Sequence, residues 1–221
     1  MFKKGKVYRK KLLSIVVIAL LVGGLLLSAT AGFFDFLGGK RNMASSPGDG
    51  EYILSLKEQA EILEKDLQGD PADLENKAAL GSIYYDLAMH CWGRGLQEKE
   101  TFAVKSKKFL LQVIAEDPLE SAATLKIALL AAFILNDETL AEKYFQNSFE
   151  LQEDNPEAHF YYGVYLFSRE KGEEARKHWE KVLLLAEKGS PLATKAQRFL
   201  LQYNETDLSK GKQGNNPAED S

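Results

Sequence analysis

PEAHFYYGVYLFSREKGEEARKHWEKVLLLAEKGSP, residues 156–191, holds two helical patterns joined by a turn. In its first half a large-small pair, Tyr162-Gly163, is followed by Leu166; in its second half Ala175, Trp179 and Val182 recur at the spacing of one helix face. The polar run Arg169-Glu170-Lys171-Gly172 separates them, and Pro156 and Pro191 bound the stretch. Proline suits the first turn of a helix and breaks an interior, so both mark helix starts. The pattern therefore predicts a helix-turn-helix unit.

Reading upstream, the same unit recurs. Ala141, Phe145 and Ser148 stand 34 residues before Ala175, Trp179 and Val182, and Ser106, Leu110 and Val113 stand 35 residues earlier still. A small residue recurs in each preceding helix as Gly81, Ala128 and Gly163, where two helices must nearly touch. Pro71 and Pro118 punctuate the earlier copies as Pro156 and Pro191 do the last. The first copy is stretched, with 22 residues between Tyr84 and Ser106, which predicts two helices each lengthened by more than a turn and meeting at Gly93-Arg94-Gly95. Stripes at Ile53, Leu56, Ala60, Leu63 and Leu67, and at Leu80, Ile83, Tyr84, Leu87 and Cys91, extend the helical period to the start of the body.

These residues resemble the tetratricopeptide repeat (TPR) family over roughly residues 71–189. In the third copy the matching positions are His159, Tyr162-Gly163, Leu166, Ala175, Trp179 and Val182; His159, Leu166 and Val182 depart from the preferred types but keep suitable size or shape. The second copy, about 121–155, matches at Ile127-Ala128, Ala141, Phe145 and Ser148. The resemblance implies an all-α chain, a short TPR-like α-solenoid of stacked antiparallel helix pairs. An array of this kind needs terminal helices with one polar face, here residues 51–68 and the segment from Pro191 to Tyr203. The stretches LEKDLQGDPADLENKAALGSIYYDL and HWEKVLLL are also similar to the exported TPR region of cytochrome c-type biogenesis proteins.

The N-terminal segment sets the expected compartment. Residues 1–11 carry six bases, and Leu12 to Phe34 then run for 23 positions without a charge. As a helix that run is ~34 Å long, enough to cross a bilayer core. Six bases before the run against Lys40 and Arg41 after it predict a single-pass cell-membrane protein with a cytoplasmic N-terminus and an extracytoplasmic body. The rival reading is a signal peptide cleaved after Ala31, which would make the body secreted; the resumption of apolar character at Phe33, Phe34, Phe36 and Leu37 favours the uncleaved anchor. Gly24, Ser28 and Gly32 have the small-xxx-small spacing that lets membrane helices pair, so a homodimer through this helix stays open. The expected organisation is an anchor at 1–37, a Gly/Ser/Pro-rich flexible linker at 38–50, the repeat domain at 51–203 and a disordered tail at 204–221.

Charge excludes one large class of partner. The net charge of −4 over 221 residues conceals eight bases and one acid in residues 1–41, so the rest carries 20 bases against 31 acids. Such a body lacks the basic surface that nucleic acid demands. One cysteine, Cys91, allows no internal disulfide. The histidines His90, His159 and His178 show no ligand spacing, with the last two expected on different helices in unrelated roles. No phosphate loop or nucleophile motif is present, so neither enzymatic activity nor a cofactor or metal is expected.

Function is then expected to be interaction with another protein or peptide segment. In the resembled family the first helix of each repeat lines a concave groove. Carrying its offsets over gives Glu157, Phe160, Val164, Phe167 and Ser168 in the third copy, Leu125, Leu129 and Phe133 in the second, and Ser82, Tyr85 and Asp86 in the first. The partner-binding set expected from this is Tyr85, Leu125, Leu129, Phe133, Phe160, Val164 and Phe167, mostly apolar and aromatic. The same residues would be covered instead if the leading helix or the long helices of the first copy lay over them. The resemblance to biogenesis proteins implies an alternative role, an assembly factor or apocytochrome-binding chaperone in cytochrome c maturation.

Overall fold

The computed structural model describes residues 49–213, with side chains from 50 to 204. The expected membrane segment, most of the linker and the last residues of the tail lie outside them. Among the described residues all regular structure is helical: α1 (Asp49–Gly69), α2 (Leu74–Gly93), α3 (Lys99–Glu116), α4 (Ser121–Leu130), a π-helical turn (Ala131–Leu135), α5 (Glu138–Leu151), α6 (Pro156–Ser168), α7 (Gly172–Leu185) and α8 (Pro191–Gln213). None of these helices is long and apolar enough to cross a membrane.

Four of the starts have a side-chain cap. The side chains of Asp73, Glu120, Asp137 and Asn155 accept hydrogen bonds from the first free N–H groups of α2, α4, α5 and α6, groups that no carbonyl of the same helix can reach. Pro156 occupies the first turn of α6, where its missing N–H costs nothing. Gly95 and Gly189 take the left-handed conformation in the turns after α2 and α7.

The chain divides into two compact units at Asn136/Asp137. In the first, α1 lays Leu56 and Ala60 on Leu80, Ile83, Tyr84 and Leu87 of α2, with Tyr52, Ile53, Leu63, Leu67, Phe102 and Phe109 packed around them. The leading stripe read from the sequence is thus buried by the helix it precedes. The pair α2–α3 is antiparallel and long, 20 and 18 residues against 13 and 14 for α6–α7, as the stretched spacing predicts. Its closest approach is at Gly81, where an added Cβ would meet Leu110 Cδ2 at 2.8 Å. Ser106 Oγ donates to the Gly81 carbonyl at 2.7 Å, so helix contact and hydrogen bond share one site. Across α1, α2 and α3, Tyr84 OH donates to Glu64 Oε1 at 2.5 Å while Lys105 Nζ donates to both, at 3.1 and 2.9 Å.

In the second unit α6–α7 repeats this design with larger groups. A Cβ on Gly163 would lie 2.5 Å from Trp179 Nε1, the position that Leu110 takes against Gly81. The indole is fully buried, donates to the Phe160 carbonyl at 3.3 Å and packs on Phe167 and Phe199. All nine residues of the three recurring triplets are at most 3% exposed, which accounts for the period by burial. The helix α8 closes the unit through Ala193, Ala196 and Phe199, and its Tyr203 lies over Gly172 and donates to Glu173 at 2.6 Å.

One boundary has a local cause of its own. The second copy, about 121–155, spans α4, the π-helical turn and α5, and the division between units falls within it. There the helix widens into the π-helical turn, and Asn136, at φ 51°, ends it in the left-handed conformation that a short amide side chain tolerates. Composition predicts a disordered tail from residue 204, but α8 runs on to Gln213.

Candidate interaction surface

The expected groove residues are mostly inside. Phe160 is wholly buried, with the edge of its ring against Phe199 of α8 at 5.5 Å. Leu129, Leu125, Val164 and Tyr85 are 2–8% exposed. Phe133 and Phe167 are half-buried, their rings 5.7 Å from Trp92 and 5.6 Å from Trp179. Five of these seven residues are thus at most 8% exposed. The reason is the one that made the stripe conspicuous, since apolar area of that size gains more from cover within the chain than from waiting in water.

Of the polar groove positions, Ser168 is exposed and its hydroxyl donates to the Tyr165 carbonyl at 2.7 Å. Ser82 is half-buried and accepts from Lys126 Nζ at 2.8 Å. Asp86 is buried, and neither carboxylate oxygen has a hydrogen-bond partner.

An accessible concavity of the second unit lies between α5 and α6. A cleft of about 590 Å³ is lined by Glu138, Thr139, Glu142, Tyr165, Ser168, Arg169, Glu170 and Lys171. Arg169 forms an ion pair with Glu138, and its guanidinium carbon stands 5.4 Å from the centre of the Tyr165 ring. Glu142 accepts from Tyr162 OH at 2.8 Å, which fixes a carboxylate at the cleft wall. Glu170 holds φ 63°, so the α6–α7 turn that carries Arg169 and Lys171 is tight enough to require left-handed backbone from a non-glycine residue. Sequence reasoning passed over this surface because its residues are polar and fall at a turn.

His159 and His178, expected to be unrelated, meet across α6 and α7 with Nδ1 to Nδ1 at 2.8 Å. The Glu153 carbonyl, 2.9 Å from His159 Nε2, can only accept, so His159 carries its proton on Nε2 and His178 Nδ1 donates to His159 Nδ1. Phe149 stacks on both rings. Burial, then the neighbouring His159 and Lys181, pushes His178 down to about 4, and burial lowers His159 as well. The same separation of 19 residues joins Trp179 Nε1 to the Phe160 carbonyl. Among the described residues no group of three or more His, Cys, Asp or Glu is gathered that could hold a metal ion. Cys91 is buried, and burial raises its thiol.

The fold is similar to that of MamA. The crystal structure of that TPR-containing protein aligns with a TM-score of 0.51 at 16% identity, covering 77% of this chain and 99% of that one. At that identity the likeness is one of fold: helices packed in repeat-like succession. No protein-family model matches the chain, and no curated protein matches it.

Proposed function

We propose that the protein is a non-enzymatic interaction scaffold that holds a segment of another protein, anchored in the cell membrane by Leu12 to Phe34 with its body outside the cytoplasm. The observation that carries the reading is architectural. Helix pairs closed on Gly81 and Gly163 bury their stripes against neighbours, in a fold similar to that of MamA, and that supports an interaction role. The partner's place is the α5–α6 cleft. Its mixed charges, Glu138, Glu142, Glu170, Arg169 and Lys171 around the Tyr165 ring, suit a polar segment whose own charges pair with them.

A photo-crosslinking residue placed at Thr139 or Glu142 in the full-length protein, in its own membrane, is expected to yield a discrete adduct that the same residue at Lys177 on α7 does not. Equal labelling from both sites, or none from the cleft, refutes the assignment. The anchored topology is tested apart from it: protease added to cells with a permeable wall is expected to digest the body, and protection until lysis refutes export.

A further inference from the structure

Asp86 is 4% exposed, and both of its carboxylate oxygens lack a hydrogen-bond partner. A buried carboxylate is tolerated when it is paired or when it keeps its proton. The cation whose charge acts on it is Lys126 of α4, which donates to Ser82 Oγ at 2.8 Å, with its ammonium 5.6 Å from the centre of the Tyr85 ring. Ser82 and Asp86 are four residues apart on α2 and so lie one turn apart on the same face. The flexible lysine stem reaches either position by rotamer change.

We propose that Asp86, Ser82 and Lys126 form a proton-operated clasp between α2 and α4. With Asp86 protonated, the ammonium rests on Ser82. When the proton leaves Asp86 Oδ for solvent, the ammonium moves one turn along α2 to the new carboxylate and leaves the Tyr85 ring. Burial holds Asp86 up at about 7, with Lys126 acting in the opposite sense, so the exchange falls at neutral pH. From α1, Tyr52 faces the site with its phenol pushed up to about 12, by burial and then by the Asp86 charge. His90 follows one turn along α2, and the buried residues of α3, Ala103, Ser106, Leu110 and Val113, do not titrate. The clasp involves residues 49–136 alone and stands independently of the interaction role.

Carboxyl-carbon NMR of the aspartate-labelled full-length chain tests it, with Asp86→Asn assigning the signal. The expected midpoint is near neutral, two or more pH units above an exposed aspartate. Lys126→Met should raise it and Ser82→Ala, which frees the ammonium, should lower it. The unfolding constant of the wild type should rise about tenfold per pH unit between the unfolded and folded midpoints, a slope absent from Asp86→Asn. A midpoint near those of exposed aspartates, or one that Lys126→Met leaves unchanged, overturns the proposal. Should Asp86→Asn fail to fold, the signal that moves in the two other variants supplies the assignment.

Discussion

Replacing Gly163 by alanine sets two effects of opposite sign against each other. In an ordinary helix the change removes backbone freedom from the unfolded chain and stabilises by about 0.5–1 kcal/mol. At this site the new Cβ would lie 2.5 Å from Trp179 Nε1, 2.8 Å from Cδ1 and 3.0 Å from Cε2. Carbon-carbon contacts are comfortable at about 3.5–4.0 Å, so α6 and the indole must part by roughly 1 Å. The indole has little room to yield, being wholly buried, bonded to the Phe160 carbonyl and packed between Phe167 and Phe199. Overpacking of this kind costs about 1–3 kcal/mol, which leaves a net loss of roughly 1–2 kcal/mol after the helix-propensity gain. For a unit of this size that lowers the melting temperature by about 4–16 °C. Circular dichroism melts of Gly163→Ala and Gly69→Ala measure the difference directly, since a Cβ on Gly69 would meet nothing within 4 Å and keeps the ordinary sign. Gly163→Leu should be worse than Gly163→Ala. If Gly163→Ala melts at or above the wild type, the close approach of α6 to α7 is refuted.

Phe160→Ser should cost about 3–5 kcal/mol, as for other large-to-small changes in a core, and a melting temperature close to wild type would mean that the ring is not covered by Phe199. Ser148 is 1% exposed with an unpartnered hydroxyl, where the equivalent positions hold Val113 and Val182; Ser148→Ala is expected to stabilise by about 1 kcal/mol in urea titration, and a loss of stability would reveal a bond to that hydroxyl. The histidine pair gives the pH dependence the opposite sign to Asp86. Because the folded protein holds His178 near 4, below its ordinary 6.5, the contribution is complete above pH 6.5 and is lost as pH falls towards 4, by roughly 2 kcal/mol once partial exposure is allowed for. His178→Phe should flatten that limb of the stability-pH curve, and an unchanged limb would exclude the pair as its source.

The helical class, the repeat and the unequal helix lengths are legible in the chain alone because each has a local cause. Apolar residues at helical spacing, small residues at Gly81 and Gly163, and prolines and capping side chains at helix starts act within one or two turns of themselves. A period of 34 or 35 residues shows only that the same local solution recurs. What covers a stripe is not local. Phe160 and Val164 read as a groove because they form a face on α6, and the closing contact that removes Phe160 from solvent comes from Phe199, 39 residues along the chain. His159 and His178 stand apart in the sequence and are joined by the packing of α6 on α7; Asp86 loses its solvent only when α1, α2 and α4 assemble around it. Periodicity tells a residue which side of its own helix it occupies, whereas burial and proton affinity depend on the atoms brought to that side from distant parts of the chain.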